Sequence, residues 1–326
     1  MALRSLPIVQ ATSAFPDSVF EPLTALKDCT CCPRECHADR LNGLYGYCNS
    51  GAGFAISSIC AHRGEEPVIS GQHGICNIFF ARCNMSCVYC QNWQISRSRG
   101  KVLAEHLSLE QVCDQIEGVL DAGSRLVGFV SPSHYVPQVK VIMRGLEYRG
   151  RRPVYVYNTS SYDKVNTIKS FDSLVDVWLP DLKYLDESIG RTISDTPNYP
   201  EVATSAIKEM YYQKGSNIRL DDDGNIESGL IIRHLVIPGK TENSKAVLRW
   251  IAENLSINVH ISLMSQYHPT EKVKDHPLLG RTLFVNEYEE VLEEFHNLGF
   301  HNGWVQELDS PTNYRPDFTE DHPFEH

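Results

Sequence analysis

The sequence predicts an α/β fold in which a parallel sheet is covered by helices. Two observations support this prediction. Strand-like runs alternate with amphipathic helical patterns along most of the chain, as in repeated βα units. The runs are also almost continuously apolar and rich in β-branched and aromatic residues, as strands covered on both faces are. A partial (β/α)6 barrel and an open doubly wound sheet both fit this pattern.

Seven segments have the strand pattern. They give six βα units and a last, short strand. In chain order the predicted strands are 75–80, 125–130, 153–158, 175–179, 230–237, 258–264 and 303–308.

The helical segments between these strands carry apolar residues at helical spacing. Ser108 begins one of them, with a capping box to Gln111, and Cys113 lies on its apolar stripe. We expect Cys113 to be a small buried hydrophobe rather than a ligand. A later helix is expected to begin at Asn286 and to end at Gly299, because both residue types favour helix ends.

The composition favours a cytoplasmic protein that binds metal. The chain has 326 residues, 42% of them hydrophobic, which is enough for one large core or for a core with a small appendage. The net charge of −11 argues against nucleic acid as a partner. No apolar run approaches the ~18 residues of a membrane span, and residues 1–20 lack the pattern of a signal peptide. Ten of the eleven cysteines lie between Cys29 and Cys90, and such clustering without a secretory signal is typical of metal binding in a reducing compartment.

Three cysteines share one short loop after the first predicted strand. Cys83, Cys87 and Cys90 have the spacing C-x3-C-x2-C. Such a loop can bind three irons of a [4Fe–4S] cluster and leave the fourth iron without a protein ligand. Zinc knuckles and disulfide loops also place cysteines this close together. The strand-like run before the loop favours the cluster.

Four cysteines near the N-terminus form a second candidate metal site. Cys29, Cys32, Cys36 and Cys48 have the spacing C-x2-C-x3-C-x11-C. Four thiols in two close groups are a closed ligand set, suited to zinc or to a fully ligated cluster. Cys31 competes with Cys32 in this register.

The chain is expected to have three parts: a cysteine-rich metal-binding segment over 1–72, the α/β core over 73–309 and an extended tail over 310–326. Cys60 in the first part and Cys76 at the start of the core are left open as metal ligands, as buried thiols or as neither. His62, Glu65 and Glu66 are close in sequence and could contact a substrate, but the turn that carries them is expected to be solvated.

Polar residues follow the predicted strands where the strands end. The carboxyl ends of parallel strands meet at one edge of a sheet, where α/β proteins carry their functional groups. Simpler interpretations exist: Asp181 and Lys183 as a surface ion pair, His134 as a structural histidine and Tyr267 as a core residue. The polar residues are Ser131, Ser133 and His134 after the second strand, Asn158 after the third, Asp181 and Lys183 after the fourth, and Gln266 and Tyr267 after the sixth.

These features resemble the radical SAM superfamily. Within it, the chain is most similar to uncharacterised pyruvate formate-lyase-activating-enzyme-like proteins that carry an extra cysteine-rich N-terminus. The resemblance favours the partial (β/α)6 TIM-type barrel. It implies an oxidoreductase that cleaves S-adenosylmethionine (SAM) reductively at a [4Fe–4S] cluster, giving a 5′-deoxyadenosyl radical that takes hydrogen from a substrate. The matching stretches span nearly the whole chain and are 32–36, 62–67, 83–92, 181–184, 233–239 and 264–267.

The resemblance also implies roles for single residues beside the three cluster cysteines. Tyr89 matches the aromatic residue that lies beside adenine. Asp181 and Lys183 match a pair that contacts the methionyl or ribose part of SAM. The segment from Val236 to Gly239 matches the one that packs on adenine.

One departure from the family concerns the methionyl amine of SAM. Related enzymes hold this amine with Gly-Gly-Glu after the second strand. Ser131, Ser133 and His134 stand there in this sequence. Hydroxyls or backbone carbonyls would then have to accept the hydrogen bonds of the amine.

The resemblance implies a [4Fe–4S] cluster and SAM as cofactors, together with an electron donor such as flavodoxin or ferredoxin. The four N-terminal cysteines add a second Fe–S cluster or zinc as a candidate. The substrate is left open between a glycine of a partner protein and a small molecule or peptide. A non-catalytic iron–sulfur or zinc protein is the alternative of another class. An electron carrier would prefer four ligands at each cluster, and a scaffold needs no polar strand ends, so the sequence favours the enzyme. Neither nucleic acid nor a membrane is expected as a partner.

Overall fold

The computed structural model describes residues 13–308, 315–320 and 322–324. Its central feature is one ten-stranded mixed sheet, with the strand order β10-β9-β8-β6-β5-β4-β2-β1-β3 and with β7 paired to β8. The strands are β1 Phe54–His62, β2 Ile75–Phe80, β3 Glu105–Leu107, β4 Leu126–Val130, β5 Val154–Thr159, β6 Val177–Pro180, β7 Arg219–Leu220, β8 Ile226–Leu235, β9 His260–Met264 and β10 Gly303–Val305.

Helices connect and cover these strands. Short 3-10 helices lie at Glu21–Lys27, Arg40–Asn42 and Pro132–His134. The described α-helices are α1 Asp17–Phe20, α2 Pro67–Ser70, α3 Trp93–Ser96, α4 Leu109–Asp121, α5 Val136–Tyr148, α6 Val165–Lys169, α7 Glu187–Ser194, α8 Tyr199–Lys214, α9 Thr241–Asn254 and α10 Val285–Asn297. No helix in the described part of the chain has the length and apolarity needed to cross a bilayer.

The seven predicted strands are present as β2, β4, β5, β6, β8, β9 and β10, and they pair in parallel in chain order. A doubly wound sheet reverses its strand order at a switch point, and this run does not. The order is that of a barrel, but the run is not closed: within the described residues β10 pairs with β9, and β2 pairs with β4 and the antiparallel strand β1.

The parallel run is strongly curved. Phe79 on β2 and Trp304 on β10 line the same cavity. These two strands are six steps apart in the sheet, which would separate them by about 29 Å if the sheet were flat. The side chains on one face of the run therefore surround a common interior.

This interior, called here the central cavity, has a volume of about 570 Å³. Towards the amino ends of the strands, apolar side chains from the same face of five strands fill the interior. They include Ile75, Leu126, Val156, Val177 and Ile231. The opposite face packs against the helices and forms the main hydrophobic core. The residues that line the cavity from the sheet are His62, Phe79, Val130, Asn158, Arg233, Ser262, Met264, Trp304 and Val305.

The two predicted helix starts have different outcomes. Ser108 caps α4 as expected, because its hydroxyl accepts the Gln111 N–H and the Gln111 side chain accepts the Ser108 N–H. Cys113 on this helix is fully buried, as predicted. The cap expected at Asn286 is wrong: α10 begins at Val285, and the Glu287 carboxylate accepts the Phe284 N–H at 3.0 Å.

Candidate functional site

The three-cysteine loop, residues 83–90, follows β2 at the carboxyl edge of the parallel strands. Backbone hydrogen bonds fix it against the end of α7, since the Ser86 N–H donates to Ser194 O and the Val88 N–H donates to Ile193 O. Arg82, just before the loop, has a positive φ of 75° that turns the chain out of the strand. The loop, which carries all three thiols, is therefore held in a defined conformation at the carboxyl edge of the parallel strands.

Each of the three sulfur atoms in this loop accepts a hydrogen bond. Such N–H···S and O–H···S bonds stabilise thiolates, and they tune the potential of iron–sulfur centres. Three free thiols with hydrogen-bond donors fit a [4Fe–4S] cluster with one iron left open. The donors are the Met85 N–H to Cys83 at 3.4 Å, the Ser194 hydroxyl to Cys87 at 2.9 Å and the Ser96 hydroxyl to Cys90 at 3.3 Å.

A buried charge network lies beside this loop. Asp181 accepts from Lys183 Nζ at 2.5 Å and from Arg233 Nε at 2.9 Å. Arg233 also donates to Glu65 at 2.8 Å and to Asn158 at 3.1 Å. The charged side chains are only 10–16% exposed, so the interpretation of Asp181 and Lys183 as a surface pair is wrong.

The charges in this network are set by its geometry. Burial by itself raises the pKa of Asp181, but Lys183 and Arg233 hold it below its ordinary value. Burial also raises the pKa of Cys87 to about 11, and the nearby Lys183 cation acts in the opposite direction. Lys183 is thus a fixed positive charge between the network and the three-cysteine loop.

The turn after β1 completes the network, and its predicted solvation is wrong. Glu65 accepts from Asn77 at 2.9 Å as well as from Arg233. Glu66 is 7% exposed and lines the central cavity, and burial raises its pKa. His62 also lines the cavity, and burial lowers its pKa.

Two of these residues were visible as exceptions in the sequence. Asn77 is the one polar residue in the fully buried strand Ile75–Phe80, and Arg233 directly follows three buried apolar residues, 230–232, in β8. A buried amide or guanidinium needs a partner, so each residue indicated a polar contact inside the sheet. The partner Glu65 had no such signal, because its position depends on how the turn folds back.

The loop lies between two cavities. Gln91 and Asn92, just after it, line the central cavity. The thiol-bearing residue Cys87 lines a second cavity of about 640 Å³, together with Asp195 and Arg97.

The aromatic residues near the loop are buried. The hydroxyls of Tyr89 and Tyr184 are hydrogen bonded to each other, and Tyr184 is also hydrogen bonded to Ser194 at 2.9 Å. A chain of polar contacts therefore joins Tyr89 to Cys87 through Ser194. Tyr267 is 1% exposed, and its hydroxyl donates to Leu279 O at 2.7 Å, as expected of a core residue.

Other predicted cofactor contacts lie outside the central cavity. Ser133 and His134 are each 1% exposed, and His134 Nε2 is hydrogen bonded to Ala81 O at 3.0 Å. Burial lowers the pKa of His134 to about 3, so its ring is neutral. The Ser131 N–H donates to Asn158 O at 2.7 Å.

The predicted adenine-contacting residues at the end of β8 also lie outside the central cavity. Val236 is fully buried, and its N–H donates to Met264 O at 3.0 Å. Gly239 is exposed with a φ of 70°, and its N–H donates to Glu287 at 2.7 Å. For these residues contact with adenine stays a prediction.

The N-terminal cysteines surround a small enclosed cavity, called here the cysteine cavity. Burial raises the pKa of the Cys32 thiol to about 12, and the neighbouring thiols of Cys48, Cys29 and Cys36 act in the same direction. In the part of the chain that the structure describes, no three His, Cys, Asp or Glu side chains converge on one metal ion. The residues lining the cavity include Cys29, Cys31, Cys32, Cys36, Cys48, Arg40 and His134.

The cysteine cavity and the three-cysteine loop are in contact. Arg34, between Cys32 and Cys36, donates from Nε to Asn84 O at 3.0 Å, and its guanidinium lies 3.6 Å from the centre of the Tyr47 ring. Asn84 is the residue after Cys83. One side chain therefore spans the distance between the two cysteine groups.

Cys60 and Cys76 lie in the sheet. They are buried cysteines on β1 and β2. Cys76 is part of the main core, and Cys60 packs with Phe79 and Phe318. Both are therefore placed apart from the two cysteine groups.

Comparison with known proteins gives little functional information. No family model matches the chain. An "uncharacterized protein MJ0674" of Methanocaldococcus jannaschii is 29% identical over 272 residues, which are 82% of this chain and 74% of that protein.

Three solved structures show weak similarity. A domain of pyruvate-formate lyase-activating enzyme from Bacteroides vulgatus has a TM-score of 0.37 and 16% identity, over 53% of this chain and 93% of that one. SuiB of Streptococcus suis bound to the precursor peptide SuiA has a TM-score of 0.45 and 12% identity, over 69% and 47% of the chains. HydG, a maturase of the [FeFe]-hydrogenase, has a TM-score of 0.46 and 11% identity, over 73% and 53%. At these TM-scores the function has to be argued from the site itself.

Proposed function

We propose that this chain is a radical SAM enzyme. Cys83, Cys87 and Cys90 would bind a [4Fe–4S] cluster, and SAM would bind at its open iron. The observation that carries the proposal is the three-cysteine loop, whose sulfur atoms each accept a hydrogen bond and which lies beside a buried charge network. A site that only stored electrons would be better served by a fourth protein ligand.

A cluster held by Cys83, Cys87 and Cys90 would supply the electron for reductive cleavage of SAM to methionine and a 5′-deoxyadenosyl radical, which would take a hydrogen atom from the substrate. The contribution of the protein is position and charge. Asp181 and Lys183 would hold polar groups of SAM, because they present a fixed anion and a fixed cation beside Cys87. Arg233 keeps Asp181 ionised and in place.

The central cavity is the proposed substrate site. Its volume of about 570 Å³ is within the range of small-molecule sites. Apolar residues such as Phe79, Val130 and Met264 line part of it, while Glu66 and His62 add polar groups. The cavity thus favours a small molecule or a short peptide segment over a large folded surface, and a glycine of a partner protein would have to enter as an extended segment.

The proposal is tested by electron paramagnetic resonance of the anaerobically reduced protein. We expect a [4Fe–4S] signal that changes shape when SAM is added, because SAM binds directly to the open iron. The variant with Cys83, Cys87 and Cys90 replaced by Ala should lack this SAM-sensitive signal, while Cys113→Ala should retain it. A reduced cluster on these cysteines that is indifferent to SAM would instead support the non-catalytic alternative.

A further inference from the structure

The cysteine cavity contains a buried positive charge. Arg40 is 2% exposed and lies against Cys29, with Nη1 3.7 Å from the sulfur. Its remaining hydrogen bonds go to backbone carbonyls, to Gly51 O at 2.6 and 3.1 Å and to His134 O at 2.7 Å. Carbonyls satisfy the donors of a guanidinium but do not neutralise its charge.

A buried guanidinium needs a negative partner. Arginine stays charged in proteins, and an uncompensated buried charge is strongly unfavourable. Among the described residues no carboxylate lies within ion-pair distance of Arg40. Glu35 also lines the cavity, but its carboxylate pairs with Lys164. The anionic groups that act on Arg40 are the thiols of Cys48, Cys29 and Cys31.

The backbone also brings the segments that carry these cysteines into contact. A Cβ on Gly46 would lie 2.5 Å from Cys36 Cβ and 2.7 Å from its sulfur, so only glycine allows the two segments to approach. The Tyr47 N–H then donates to the Cys36 sulfur at 3.3 Å. At the other end, Cys29 pairs with Ala38 in an isolated β-bridge.

We propose that Cys29, Cys32, Cys36 and Cys48 hold a second metal centre whose negative charge is balanced by Arg40. Four thiolates around zinc and four thiolates around a [4Fe–4S] cluster both carry a net negative charge, so both meet the demand of the buried guanidinium. Cys31 is left outside this ligand set because it competes with Cys32 in the C-x2-C-x3-C-x11-C register, although its sulfur lies 3.8 Å from that of Cys29. This centre does not depend on the proposed function of the three-cysteine loop.

The test uses full-length protein in which Cys83, Cys87 and Cys90 are replaced by Ala, purified without oxygen. Metal analysis should find either about one zinc or about four irons per chain. Adding Cys32→Ala or Cys36→Ala should remove this metal, while Cys31→Ala and Cys113→Ala should leave it in place. Less than a tenth of a metal equivalent per chain, or metal that survives Cys32→Ala, would overturn the proposal, and loss with Cys31→Ala would overturn the ligand set.

Two controls keep the result interpretable. Circular dichroism shows whether the triple variant folds, and if it does not, the same count is made on otherwise unchanged protein, where the second centre appears as zinc or as iron beyond about four per chain. Because neither metal analysis involves SAM, it tests the second centre independently of the proposed radical SAM activity.

The role of Arg40 is tested by metal loss to a chelator. Arg40→Met should release the second metal at least about tenfold faster, because the charge of the centre loses its buried partner. Arg40→Lys, which keeps a cation, should release the metal at a rate between those of Arg40→Met and the unchanged protein. Equal release rates for all three proteins would show that Arg40 does not balance a metal centre.

Discussion

Asp181 joins two buried cations, Lys183 and Arg233, in the network beside the three-cysteine loop. It receives hydrogen bonds from Lys183 and Arg233 within a network that is largely closed to solvent. Breaking a buried pair leaves an uncompensated charge, which typically costs about 3–5 kcal/mol. The residue is therefore expected to matter for stability as well as for binding.

We predict that Asp181→Asn and Lys183→Ala each weaken SAM binding by more than about tenfold while the iron content stays unchanged, because charge-assisted hydrogen bonds to a polar ligand contribute about 1.5–3 kcal/mol. Isothermal titration under anaerobic conditions measures the affinity. Asp114→Asn is a matched control, since Asp114 also pairs with an arginine but is 66% exposed. Normal SAM affinity in both network variants would reduce this network to a structural role.

Glu66 makes the stability of the protein depend on pH. Burial raises its folded-state pKa above the unfolded value, so the folded state favours the protonated form. Its stabilising contribution is therefore fully present below the unfolded pKa and is lost as pH rises through the folded pKa.

We predict that Glu66→Gln, which is neutral at every pH, is more stable than the unchanged protein at pH 8 and that this advantage shrinks towards pH 5. Anaerobic thermal unfolding of both proteins across this range provides the measurement. A stability difference that is constant with pH would mean that Glu66 is ionised in both the folded and the unfolded state over this range, contrary to the prediction.

At the scale of elements, β4 and β2 are in contact through a glycine. Gly128 pairs with Asn77 in the parallel register. A Cβ on Gly128 would lie 2.1 Å from Asn77 Oδ1. Asn77 would then have to leave Glu65, to which it donates at 2.9 Å.

We predict that Gly128→Ala destabilises the protein by about 1–3 kcal/mol, as overpacking of a buried site does. Gly118→Ala is the control, because Gly118 is exposed on α4 and a Cβ there meets no atom within 4 Å. That change should stabilise the protein by about 0.5–1 kcal/mol. Denaturant unfolding measures both, and equal effects would show that the contact between β4 and Asn77 is not tight.

The strands were predictable from the sequence, while the polar contacts between side chains of different strands were not. β4 and β5 are buried on both faces, and such strands produce apolar runs that local pattern detects. The network of Glu65, Asp181 and Arg233 forms because a curved sheet brings side chains from distant strands together. No local pattern encodes that curvature, so Glu65 was assigned to a solvated turn.

At the scale of the whole molecule, two groups of cysteines lie on one end of the fold. The three-cysteine loop lies at the carboxyl edge of the parallel strands, and Arg34 connects it to the cysteine cavity. The three-cysteine spacing was informative from sequence because cluster ligands can come from one short loop. The buried Arg40 was not, since its role depends on contacts with Cys29 and with the carbonyl of His134.

The enzyme assignment is tested most directly by the production of 5′-deoxyadenosine from SAM. Anaerobic protein with its iron restored is incubated with SAM and dithionite, and the nucleoside is quantified by liquid chromatography. The unchanged protein should form 5′-deoxyadenosine, and so should Cys113→Ala, whereas replacing Cys83, Cys87 and Cys90 by Ala should abolish it. Equal amounts from the triple variant, or none from unchanged protein that holds its full complement of iron, would contradict the assignment of this chain as a radical SAM enzyme.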